Sequence, residues 1–145
     1  MRAVPPAILL AAALLSPAGA QDAPPDLKGV WSGVARSVVL GSGFHHPGTE
    51  TEKDPPRVPE VRFTYTVRGQ DDRLVWGTFS SPSYEEPFAW AISRDNRTVI
   101  GADTDGQHRL TILGPDRMEQ CYTHSALSPT KSIVASCFLI ERTAR

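Results

Sequence analysis

Beyond its first fifteen residues the chain has no long apolar run, and no ten-residue window carries a helical stripe of apolar side chains. The first absence argues against membrane-spanning helices and insertion into a membrane, the second against helical and mixed α/β architectures. An excess of positive charge is missing too. Lys and Arg number 15 against 16 Asp and Glu, a formal net charge of −1. Nucleic acid and anionic membrane surfaces are held by basic faces, so neither is an expected partner. There is no G-x-S-x-G elbow, no phosphate-binding loop and no H-E-x-x-H, the short motifs that place a nucleophile, a phosphate or a catalytic zinc. No catalytic residue and no cofactor are assigned, and the chain reads as a non-enzyme. Cysteine is scarce: Cys121 and Cys137 are the only two.

The N-terminus is the first positive signal. Arg2 is its only charge, Ala7 to Leu15 is apolar throughout, and Ala18-Gly19-Ala20 supplies small residues at positions −3 and −1 of a cleavage site. That is the plan of a secretory signal peptide over residues 1–20. A nine-residue apolar run is too short to span a bilayer. The mature protein would begin at Gln21 in the periplasm or outside the cell. Removing Arg2 leaves 14 basic and 16 acidic residues, a net charge of −2. In an oxidising compartment paired thiols become disulfides, so Cys121 and Cys137 are expected to be bonded. If they face one another on a hairpin, Thr123 stands opposite Ala135 and Glu119 opposite Leu139. Closing that loop is worth roughly 3 kcal/mol by chain entropy.

The rest alternates short β-prone runs with turn residues on an even pitch. After a flexible lead-in at 21–26 the expected strands are Leu27–Val39, Val61–Val67, Leu74–Ser80, Phe88–Ser93, Thr98–Ala102, His108–Leu113, Arg117–Thr123 and Ser132–Ile140. Val61, Phe63, Tyr65 and Val67 alternate with Arg62, Thr64, Thr66 and Arg68, one face buried and one wet. Turns are expected at Gly69–Asp72, Asp95-Asn96, Thr104–Gly106 and Gly114–Asp116, where Gly, Asn and Asp tolerate turn backbone. Only Gly41–Pro59 is a long irregular connection, and long loops in small domains tend to be functional or disordered. Eight strands in chain order close most simply into one domain, residues 27–145, an all-β up-and-down barrel without exposed edges.

Gly29-Val30-Trp31 resembles the G-x-W strand of lipocalins. The resemblance implies that Trp31 plugs the closed end of the barrel and that an Arg after the last strand, here Arg142, packs on it. The other lipocalin motifs and the C-terminal helix are missing. In length and strand rhythm the chain is closer to the avidin-like barrels, which also open on a G-x-W strand, and it is similar to small exported bacterial proteins without an assigned activity. No biotin-binding motif is present, so the resemblance carries no ligand.

Phe44, His45 and His46 are the only aromatic side chains of the long loop. Adjacent His residues point opposite ways in extended chain and are poorly set for one metal, so no metal is assigned. Asp103-Thr104-Asp105-Gly106 begins like a calcium loop, but the glycine comes too early and no closing Glu follows. Glu85 and Glu86 read as solvated loop charges. The interior of an eight-stranded barrel is either filled by side chains or holds one small ligand. The leading expectation is non-catalytic binding of a small, mostly apolar ligand in the barrel mouth. Phe44, His45, His46, Tyr65, Trp76 and Trp90 would make the contacts, with Gly41–Pro59 as lid. The alternative is a module that binds an envelope protein or inhibits a hydrolase. A filled interior with an exposed apolar patch would favour the protein partner.

Overall fold

A computed structural model of the chain describes residues 23–42, 51, 53–125 and 132–145. The expected signal peptide at 1–20 and the loop residues Phe44, His45 and His46 lie outside the described residues. Within them the fold consists of strands β1 (Gly29–Arg36), β2 (Val38–Leu40), β3 (Glu60–Asp71), β4 (Leu74–Ser80), β5 (Glu85–Ile92), β6 (Thr98–Ala102), β7 (Gln107–Gly114), β8 (Arg117–Ser125) and β9 (Ile133–Ala144). From β3 onward each strand pairs antiparallel with the next. β1 pairs with β3 on one side and with β9 on the other, which closes the sheet. The result is an eight-stranded antiparallel barrel with one extra short strand.

The extra strand comes from a break in the expected first strand, Leu27–Val39. At Ser37 the backbone N–H turns to the Pro59 carbonyl, and β2 then continues along β9. The end of the long loop follows it, with Arg57 and Val39 exchanging backbone hydrogen bonds. A second difference lies in β3. It absorbs an irregularity between Val67 and Gly69 and runs on to Asp71, so the turn falls at Asp72-Arg73 rather than at Gly69–Asp72. Asp72 has φ 49°, left-handed backbone that a short polar residue accepts. The Asp95-Asn96 turn is as expected: Asn96 has φ 57°, and one Asp95 oxygen accepts the N–H groups of Arg97 and Thr98.

Period-two alternation decides what faces inward. On β4 Val75, Gly77 and Phe79 are buried while Leu74 and Trp76 face out. On β5 Glu86, Phe88, Trp90 and Ile92 are buried. The core holds Trp31, Tyr65, Phe79, Phe88, Trp90, Leu110, Met118 and Ile140. The interior is therefore filled over most of its height.

One end is closed by Trp31. Its indole N–H donates to the Leu27 carbonyl at 2.9 Å, and the Arg142 guanidinium lies 4.1 Å from its ring centroid. Arg142 belongs to β9 itself, which runs to Ala144 and not only to Ile140. Its guanidinium also donates to Asp116 and to the carbonyls of Asp26, Lys28 and Pro115, drawing chain ends and turns together. The described part of the lead-in is tied down here. Asn96 donates to the Ala23 carbonyl, and Gln70 brackets Pro25 and Leu27. On the outer wall Cys121 and Cys137 are disulfide-bonded with Cα atoms 4.1 Å apart. Thr123 faces Ala135 and Glu119 faces Leu139, the register expected from the cysteine spacing.

Candidate functional site

The opposite end of the barrel, where β4–β5, β6–β7 and β8–β9 connect, gathers the polar side chains that the core excludes. It is built on one row of facing residues: Val75, Trp90, Gly101, His108, Tyr122 and Ser136, on β4 to β9 in turn. Gly101 is the opening in this row. A Cβ placed on it would come within 2.2 Å of the Trp90 ring, so only glycine lets the indole cross the strand. Having crossed, Trp90 donates its N–H to His108 Nδ1 at 3.1 Å. An indole N–H only donates. Nδ1 of His108 must therefore be the acceptor, and the ring proton sits on Nε2, which donates to Asp103 Oδ2 at 2.8 Å. Both nitrogens of this buried imidazole are committed, leaving neither for general-base work.

A second chain runs beside the first. Asp105 Oδ2 lies 3.2 Å from His124 Nδ1, and His124 Nε2 lies 3.2 Å from Ser132 Oγ. With the neutral ring donating from Nδ1 to the carboxylate, Ser132 donates to Nε2. Carboxylate, imidazole and hydroxyl follow one another in the order of a nucleophile relay. Ser132, however, has 0% of its surface exposed, and an attacking hydroxyl has to meet its substrate. The Tyr122 hydroxyl joins the network, donating to Asp105 Oδ1 at 2.9 Å.

The acidic groups converge. Glu86, Asp103 and Asp105 each bring a carboxylate oxygen within 4.8 Å of the others, a spacing that a metal ion could use. Each is also engaged by protein donors: Glu86 by the Thr104 hydroxyl, Asp103 by His108, Asp105 by Tyr122. The solvated loop charge expected at Glu86 is corrected here. β5 begins at Glu85, and alternation turns Glu86 inward, where it is 8% exposed. Burial works against ionisation of Asp103. The bonds from His108 and from the Asp105 and Gly106 N–H groups outweigh it and hold the carboxyl below its usual range.

All three tyrosines of the chain surround this region. Burial, reinforced by the nearby carboxylates, pushes the phenols of Tyr65, Tyr84 and Tyr122 well above the ordinary tyrosine range. Between them lies a cleft lined by the rings of Phe63, Tyr65, Phe79, Tyr84, Tyr122 and Phe138, with Ser136 at its wall. The cleft is small, about 30 Å³, room for a water molecule or a group of that size. Tyr65 is 2% exposed and stacks on Phe79.

Of the six residues expected to bind ligand, Tyr65 and Trp90 come together, with ring centroids 5.6 Å apart. Of the three that are described, only Tyr65 lines the cleft, and the Trp90 N–H is spent on His108. Trp76 is on the outer wall, 48% exposed, its ring resting on Gly69. A ligand in the mouth cannot reach it, because inward and outward positions alternate along β4. Phe44, His45 and His46 are outside the described residues. Most of the site is made of residues that the sequence reading weighed and set aside, Glu86, Asp103 and Asp105 among them, or gave no role, Tyr84, His108, Tyr122 and His124. Their signal was a cluster of Asp, His and Tyr on successive strand ends of one barrel rim. Comparison with protein-family models, curated proteins and solved structures finds no match.

Proposed function

We propose that this chain is an exported, non-catalytic binding protein of lipocalin or avidin-like type that takes a small, mostly apolar ligand at the barrel mouth. The observation that carries this reading is the cleft at the barrel mouth, walled by the rings of Phe63, Tyr65, Phe79, Tyr84, Tyr122 and Phe138. The filled interior limits what enters to a small group. The committed nitrogens of His108 and the burial of Ser132 support a holding role over a catalytic one. Native mass spectrometry of protein purified from its own envelope fraction tests the reading. A co-purifying small mass is the expected result, and a co-purifying protein with no small mass would replace it with the alternative.

That alternative has an observation of its own. Leu74 and Ile100 are each 59% exposed, and together with Trp76 they border a floor of Ala89, Ala91 and Ala102 on the outer wall of β4 to β6. Contiguous apolar surface of this kind commonly marks a protein-binding face. Trp76→Ser and Ile100→Lys would remove a protein partner bound here without touching the mouth.

A further inference from the structure

We infer that the outer wall carries a thiol-exchange site, at which a thiolate approaching along the groove beside β7 attacks the Cys121–Cys137 disulfide at Cys121. The inference is independent of the mouth and of what binds there. Placement comes first. Neither cysteine belongs to the core; Cys121 is half-buried and Cys137 is exposed. The inward positions beside them are held by Met118, Gln120, Phe138 and Ile140, all buried. Nine facing pairs fix the register of β8 on β9. Breaking the S–S bond therefore empties no core position and unpairs no strand. Exposed disulfides are the labile ones, since access to sulfur governs attack.

The approach comes second. An open groove of about 720 Å³ on the outer wall of β5 to β8 reaches Cys121, lined also by Ala91, Ile100, Gly101, Ala102 and Arg109. Its small side chains keep the floor low, and its apolar character suits a thiol on an apolar body. Arg109 faces Cys121 from β7, and Cys137 faces it from β9. A thiolate in the groove thus stands behind Cys121, in line with the sulfur that leaves. Charge comes third. The Arg109 guanidinium attracts an anion, and cationic side chains favour thiolate over thiol. Glu119, two residues along the same face of β8, stands opposite Thr111 and Leu139 rather than Arg109. In the first step the thiolate bonds to Cys121 Sγ, the S–S bond breaks, and its electron pair leaves on Cys137 Sγ as a solvated thiolate. A second thiolate then attacks the bound thiol's sulfur and releases Cys121 as thiolate. Two external thiols are oxidised to one disulfide while the protein's disulfide is reduced to two thiols.

The test treats the intact mature protein, in mildly alkaline buffer, with glutathione and with a short peptide that holds one Cys between Leu residues. Samples are quenched early in acid, alkylated and mapped by mass spectrometry. The added thiol should appear on Cys121 and the alkyl group on Cys137, with the circular dichroism of the folded protein unchanged. Faster reaction of the peptide points to a protein cysteine as the natural thiol, faster reaction of glutathione to a small one. Arg109→Gln should slow the exchange several-fold at low salt and Arg109→Lys should not, while both melt like the parent. The difference should shrink at high salt, as screening requires. Ala102→Leu, which fills the groove from an outward position, should slow the peptide as well. An adduct confined to Cys137, or Arg109→Gln reacting as fast as the parent, would overturn the assignment. So would an exchange rate that rises in urea in step with the unfolded fraction, the behaviour of a disulfide reached only by unfolding.

Discussion

Replacing Trp31 by Ala removes the side chain that closes one end of the barrel. Trp31 is fully buried. A buried Trp hides roughly 150–250 Å², and at about 25 cal/mol per Å² its loss costs about 4–6 kcal/mol in transfer free energy. Truncations of large core aromatics typically cost about 3–5 kcal/mol, since neighbours relax in part. We expect about 4 kcal/mol in urea melts followed by far-UV circular dichroism. Trp31→Phe separates the contributions. It keeps a ring under the Arg142 guanidinium but abandons the Leu27 carbonyl, and an unsatisfied buried carbonyl costs about 1–3 kcal/mol. A double-mutant cycle of Trp31→Ala with Arg142→Ala then reads the ring–guanidinium coupling, on the order of 0.5–2 kcal/mol. Arg142 is held by four other partners as well, so its own truncation should be the more damaging of the two. A loss below about 1 kcal/mol for Trp31→Ala would mean that the barrel end is closed by something else and would refute the reasoning.

Three further predictions follow from the mouth. Because the folded-state phenols of Tyr65, Tyr84 and Tyr122 are all raised, absorbance at 295 nm should show no tyrosinate up to about pH 11 while the protein stays folded; stability should be level below the unfolded phenol value of about 10 and fall as pH rises above it. Tyrosinate appearing near pH 10 in folded protein would contradict the buried rim. Gly101→Val should push the Trp90 indole off His108 and cost about 1–3 kcal/mol as an overpacking change, with a shift in Trp fluorescence; an unchanged spectrum and melt would show that the indole does not cross this strand. Ser132 should stay unlabelled by a fluorophosphonate in the folded protein, and stoichiometric labelling lost in His124→Gln would make the relay catalytic and the non-enzyme reading wrong.

The barrel was legible in the sequence because its information is local. Val61 to Arg68 shows its pleat outright, and turn residues punctuate each hairpin. Cys121 and Cys137 set the β8–β9 register to the residue. Boundaries failed where a strand absorbed an irregularity, as at Val67–Gly69, or where a break at Ser37 changed which neighbour the chain paired with. Neither leaves a mark in composition. The site was harder to read because it is not local. Glu86 looked solvated beside Glu85, yet strand alternation sends the two to opposite sides of the wall. Trp76 and Trp90 looked equivalent as aromatics, and only the phase of β4 and β5 puts one outside and one in. The Trp90–His108–Asp103 chain needs three strands in register and a glycine between two of them. Gly101, in a strand otherwise rich in β-formers, was the one hint, since a glycine inside a strand often marks a close approach.

The central claim is that binding occurs at the mouth and not on the outer wall. Its most direct measurement is native mass spectrometry of Ser136→Trp, in which an indole fills the cleft, beside Trp76→Ser, which strips the outer wall, each purified from the envelope fraction and checked for cooperative unfolding. The account predicts that the co-purifying small mass disappears from Ser136→Trp and persists in Trp76→Ser. Persistence in the first and loss from the second would place the ligand on the outer wall and contradict it.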